Sequence, residues 1–156
     1  MGKEVINGEL NMYEYSCKVK RVVDGDTVDV VLNLGFDILY DCRVRLGGID
    51  TPESRTRDLD EKARGKLAKS FLQECIKGKK VVLKTKLKDS RGKFGRIIAE
   101  VWAEFEKGSM RNVNELMIKE CHAVKYNAEN KALVVEAHMA NREILIEKGL
   151  FIPEEK

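Results

Sequence analysis

Carboxylates and guanidinium groups recur at a few widely separated places in this chain of 156 residues. They stand in Asp24-Gly25-Asp26-Thr27-Val28, at Arg45, in Asp50-Thr51-Pro52-Glu53, and at Gly95-Arg96, which closes a basic stretch running from Lys79 to Lys93. Three carboxylates can hold a hard divalent cation and position a water molecule, and two arginines can hold a phosphate. Neither half hydrolyses a phosphodiester by itself. Both halves in one small chain suggest a single phosphodiesterase site.

Taken singly, each piece has a plainer explanation. Asp24-Gly25 is a hairpin-turn signal, because such turns use positive φ values. Asp50 ahead of Pro52 suits an Asx-turn leading into a helix. Arg45 and Arg96 would pass for solvated strand residues. Taken together, the pieces make chemical sense. Asp26 and Asp50 could bind one ion as oxygen ligands, and Pro52 would stiffen the loop so that a main-chain carbonyl, that of Thr51, also faces it. Glu53 then stands close enough to orient or deprotonate a water. Hard oxygen donors favour Ca²⁺ or Mg²⁺ over zinc. Planar arginine forks can bond two oxygens of a crowded phosphorane-like state at once, which lysine cannot do. The two histidines, His122 and His138, have no ligand-spaced partner and read as ordinary helix-associated residues.

Composition is compatible with that chemistry. Hydrophobic residues make up 43% and charged residues 35% of the chain, which is globular rather than disordered usage at a length suited to one domain. The formal charge is only +3, yet from Lys77 to Arg96 nine basic residues face the single acid Asp89, a distribution suited to a polyanion. The four cysteines form no C-x-x-C pair, so they are expected as free thiols. No apolar run approaches membrane-spanning length. No apolar leader follows Met1, so the chain as written reads as cytoplasmic, or as secreted if a leader has been removed.

The elements that must carry the site follow from hydrophobic period. Cys17 to Val22, Thr27 to Leu32 and Cys42 to Leu46 read as three consecutive strands of an antiparallel meander. Leu67, Ala68, Phe71, Leu72, Cys75 and Ile76 give one apolar helix face, capped at Gly78. Val81-Val82-Leu83 and Ile97 to Trp102 read as two further strands, with a loop from Lys88 to Gly95 between them. Asn112 with Glu115 opens a short helix. Asn130 opens a last one, with Leu133, Ala137, Ala140, Ile144 and Leu145 as its inner face and Gly149 at its end. The fold class is therefore α+β, five strands and three helices, with a small closed antiparallel barrel carrying packed helices as the economical arrangement. Residues 1–14 are expected to be a flexible segment, 15–152 the domain and 153–156 a tail.

The chain resembles the staphylococcal nuclease (thermonuclease) family over about residues 16 to 152. The anchors are Val23-Asp24-Gly25-Asp26-Thr27-Val28, Arg45-Leu46, Ile49-Asp50-Thr51-Pro52-Glu53, Lys93-Phe94-Gly95-Arg96, Val113-Asn114-Glu115-Leu116 and Gly149-Leu150-Phe151. The resemblance implies a five-stranded antiparallel barrel of the oligonucleotide-binding (OB) type with three packed helices, and Ca²⁺-dependent cleavage of DNA and RNA, with Mg²⁺ as a weaker substitute. Water would attack phosphorus and the bond to the 5′-oxygen would break. It implies Asp26, Asp50 and the Thr51 carbonyl as metal ligands, Glu53 acting on the water, Arg45 and Arg96 on the phosphate, and Asp24 in an outer-shell or structural role. It implies nucleic-acid contacts for Lys93, Phe94 and Tyr126, with Phe94 standing where some members carry tyrosine. The substrate would be gripped by its backbone with little sequence preference, single strands being preferred, and the protein would act as a monomer. The alternative is a catalytically silent nucleic-acid-binding adaptor of the same fold.

Overall fold

The computed structural model describes residues 13–85 and 95–153. Strands β1 (Glu14–Asp24), β2 (Thr27–Asn33) and β3 (Leu39–Leu46) form the expected antiparallel meander. After a two-residue strand β4 (Ile49–Asp50) comes helix α1 (Leu59–Ile76), then β5 (Val81–Lys84), β6 (Ile97–Glu106) and β7 (Ser109–Asn112). Helix α2 (Val113–Lys119), a second two-residue strand β8 (Val124–Lys125) and helix α3 (Lys131–Glu147) complete the order.

The sheet runs β3-β2-β1-β5-β6-β7, and β6 pairs back onto β3. This closes a five-stranded barrel of OB type with three helices, and β7 hangs from β6 as a hairpin outside the ring. The closing pair is parallel, with Val44 opposite Ile97 and Arg45 opposite Ile98. The barrel is therefore mixed rather than wholly antiparallel, because the chain returns to β3 through α1 and β5 and meets it in the same direction.

Alternation along each strand sends valine and leucine inward. Val28, Val30, Leu32, Val44, Leu46, Leu83 and Val101 are buried, and Ala68, Leu72, Cys75 and Ile76 of α1 close over them. Burying each large aliphatic side chain is worth about 1.5–3 kcal/mol relative to leaving it in water. Asp58 caps α1 by accepting from the Asp60 and Glu61 amides, and Gly78 follows its C-terminus with φ of 67°. Asn112 caps α2 by accepting from the Glu115 amide, as its sequence suggests.

Buried Asn114 acts as a central tie. Its side-chain oxygen accepts from Val101 N–H at 3.0 Å, and its amide donates to the carbonyls of Gly47 at 3.0 Å and Ala99 at 3.2 Å. It thereby fixes the turn that leads from β3 to the Asp50 segment.

Helix α3 departs from the sequence expectation. Leu133, Ala140 and Ile144 face solvent, while Val134, Ala137, His138, Asn141, Arg142 and Leu145 turn inward. The face lies about one residue away from the most apolar one, because the polar side chains on it find partners below. All four cysteines are free, and burial pushes the Cys17 thiol up to about 12 and Cys75 to about 11.

Candidate active site

The β1–β2 turn pairs Asp24 with Thr27 and presents Gly25 and Asp26. Gly25 does not take the positive φ expected of a hairpin glycine. It is small for another reason: an added Cβ would lie 2.8 Å from Cβ of Ala68 and 3.2 Å from Cγ2 of Thr51. Helix α1 and the Thr51 loop therefore press directly on the turn that carries Asp26.

Asp26 is held at three points. Its carbonyl accepts from Leu46 N–H at 2.8 Å, and its Oδ1 accepts from the Thr27 hydroxyl at 2.9 Å. Its Oδ2 lies 3.4 Å from Nη2 of Arg45. The same nitrogen lies 3.9 Å from Oδ1 of Asp50, so one guanidinium brings both acids together. Arg45 is itself fixed by donation from Nη1 to the Leu46 carbonyl at 2.8 Å, and its Cζ sits 5.6 Å from the centre of the Tyr126 ring. Tyr126 reaches this place because β8 pairs with β4, with Asp50 opposite Val124, and because Tyr126 N–H donates to Gly48.

The next loop brings Asp24, Thr51 and Glu53 into the same neighbourhood. Thr51 is buried under the turn. Asp24 accepts a hydrogen bond from Ser54 Oγ, and Glu53 N–H donates to Glu61 Oε2 at 3.1 Å. Helix α1 packs so close that a Cβ on Gly65 would stand 2.5 Å from the Glu53 carbonyl oxygen. Burial pushes the Glu53 carboxyl above its usual value, and the negative charges of Asp26, Asp24, Glu61 and Asp50 push it further. That excess of negative charge around one carboxyl suits a cation, and the Asp26, Asp50 and Glu53 carboxylates are hard oxygen donors. Among the described residues no three His, Cys, Asp or Glu side chains form a ready cage. The expected three-carboxylate grouping is thus not a preformed metal cage among the described residues.

His138 is the residue that spacing did not reveal. Its Nε2 lies 2.8 Å from Oδ2 of Asp50, across 88 residues of sequence. Both histidines were expected as ordinary helix-associated residues; His138 lies on α3 with its ring against Asp50, and His122 lies in the bend after α2. His122 is buried and stacks on Phe71 with ring centres 4.5 Å apart. Its Nδ1 has no hydrogen-bond partner, and burial lowers its pKa. Arg96 directly precedes β6, and the β3–β6 register sets its backbone beside the Arg43 to Arg45 stretch. Lys93 and Phe94 lie outside the described residues.

A small closed barrel with an acidic, arginine-bridged rim beside α1 is the architecture of an OB-type domain with its polar site at the strand ends. The chain belongs to the staphylococcal nuclease homologue family, whose model matches residues 43–148. It is 34% identical over 97 residues to the thermonuclease of Staphylococcus intermedius, covering 62% of this chain and 54% of that protein. It is 32% identical over 119 residues to protein ParB of Escherichia coli (74% and 59% coverage) and 31% over 123 residues to the micrococcal nuclease of Shigella flexneri (76% and 62%). The chain thus spans little more than half the length of these curated relatives. No helix among the described residues is long and apolar enough to cross a membrane.

Proposed function

We propose that this protein is a Ca²⁺-dependent nuclease that hydrolyses phosphodiester bonds of DNA and RNA with little sequence preference. The observation that carries this reading is the convergence of Asp26 and Asp50 on one nitrogen of Arg45. Membership of a family whose similar members include thermonucleases and a micrococcal nuclease adds to it.

Asp26, Asp50 and the Thr51 main-chain oxygen are the groups that would hold the ion. Bound there, Ca²⁺ would offset the crowded negative charge and draw electrons from a phosphate oxygen. Mg²⁺ would serve as a weaker substitute. Arg45 keeps one edge of its guanidinium on the Leu46 carbonyl and uses its other donors on the non-bridging phosphate oxygens, with Arg96 as the second grip. Glu53 orients the attacking water or takes its proton. The water oxygen bonds to phosphorus, the bond to the 5′-oxygen breaks, and that oxygen leaves as a hydroxyl. Asp24, held by Ser54, supports the turn from outside. Tyr126 offers a ring for a base or sugar, and Lys93 and Phe94 would add nucleic-acid contacts, as the family resemblance implies. Backbone contacts of this kind carry little sequence information, which accounts for the broad substrate range.

The test is release of acid-soluble nucleotides from single-stranded DNA and from RNA, with Ca²⁺ and with chelator. The expected result is ion-dependent release, leaving 3′-phosphate and 5′-hydroxyl ends. Binding of single strands in a mobility shift without any ion-dependent release would replace this reading with that of a silent adaptor.

A further inference from the structure

Helix α3 is joined to the rest of the molecule by polar contacts more than by apolar ones, Leu145 being its one buried residue. Three successive inward positions each hold a different partner. His138 Nε2 meets Asp50 Oδ2 at 2.8 Å. The Asn141 amide donates to the Ala123 carbonyl at 3.0 Å, where the chain enters β8. Arg142 Nε donates to Asp60 Oδ2 at 3.0 Å, and Asp60 also accepts from Arg64 at 2.8 Å. The first and third contacts bracket the segment from Asp50 to Asp60, which contains Thr51, Pro52 and Glu53.

We propose that His138 is a positioning residue for the candidate ion site, with α3 acting as the latch that sets Asp50. This inference rests on the nuclease reading above. Asp50 sits on a strand of two residues, so its backbone pairing alone leaves the carboxyl free to rotate. Its Oδ1 lies 3.9 Å from Arg45, beyond hydrogen-bond reach, whereas its Oδ2 meets His138 at 2.8 Å, so the histidine contact is the one that sets the carboxyl's orientation. Oriented in advance, the carboxyl loses less freedom when a cation arrives. Hydrogen-bonding partners of ligating carboxylates act in this way, and their loss weakens metal binding about 10–100-fold.

Calorimetric titration of ion-free protein with Ca²⁺ tests this without any turnover. His138→Ala and His138→Leu, which lack the donor, should weaken Ca²⁺ binding about 10–100-fold. His138→Gln, which can place an N–H at a similar reach, should recover most of the affinity. In cleavage assays the first two variants should need proportionally more Ca²⁺ for half-maximal rate, with kcat restored at saturating ion. Met139→Ala, beside it on the exposed face, controls for general damage to the helix. Unchanged Ca²⁺ affinity in folded His138→Leu would overturn the inference and leave the nuclease reading standing. A wild-type protein that binds no Ca²⁺ and cleaves nothing would overturn that reading, and this inference with it.

Discussion

Two neighbouring rungs of β2 and β3 use the same residue types to opposite ends. On one, Asp29 lies opposite Arg43 and accepts from Arg43 at 2.8 Å and from Arg21 at 2.9 Å. Hydrogen bonds from Arg43 and then Arg21 outweigh burial and hold the Asp29 carboxyl at about 2. On the other, two residues along, Thr27 lies opposite Arg45, whose Nη2 stands 3.4 Å and 3.9 Å from two different acids. Beside that rung Glu53 is pushed upward by burial and then by four acidic neighbours. Two cations around one carboxylate leave nothing to bind. One guanidinium among several carboxylates leaves negative charge uncompensated and donors within reach of an anion. Counting aspartates and arginines does not separate the two rungs; their ratio and spacing do.

The sharpest way to break this contrast is Glu53→Gln, which keeps the shape and removes the charge. Turnover should fall about 10²–10⁴-fold. Because the folded state holds the Glu53 proton more tightly than the unfolded chain does, ionised Glu53 weakens the fold at neutral pH. The ion-free variant should therefore melt higher than wild type, and a lower melting temperature would contradict the charge crowding described here.

Gly65→Ala comes next. In an open helix this change stabilises by about 1 kcal/mol. Here the new Cβ would stand 2.5 Å from the Glu53 carbonyl oxygen, and backbone cannot swing aside. Urea melts should show a loss of about 1–3 kcal/mol, with activity falling as Glu53 is displaced. A gain in stability would mean that α1 does not press on the Glu53 loop.

The smallest effect belongs to the satisfied rung. Asp29→Asn should cost about 1 kcal/mol or less at neutral pH, since the arginines are exposed. The lowered pKa means that the Asp29 contribution is present above its usual 3.8 and lost as pH falls through about 2. The variant should therefore lose less stability than wild type across that interval in acid melts. Glu53 has the opposite sign: its contribution is fully present below its usual 4.5 and is lost as pH rises through its raised pKa.

The barrel was legible in the sequence because its strands alternate and one face of each is buried. Asp26, Arg45 and Asp50 were legible because their spacing forms a specific set. The α3 face was not, since its contacts are polar: hydrophobic period points to Leu133 and Ile144, while His138, Asn141 and Arg142 hold the helix down. His138 was invisible for the same reason, its partner lying 88 residues away. Strands β4 and β8 are two residues each and leave no periodic trace. Gly25 was expected for its φ and instead serves the close approach of Ala68.

Cleavage of single-stranded DNA in Ca²⁺ by Arg45→Ala and Arg43→Ala, side by side, tests the contrast most directly. Arg45→Ala should lose about 10²–10³-fold or more in kcat, while Arg43→Ala should stay within about twofold of wild type. Equal losses in the two variants, or an active Arg45→Ala, would contradict it.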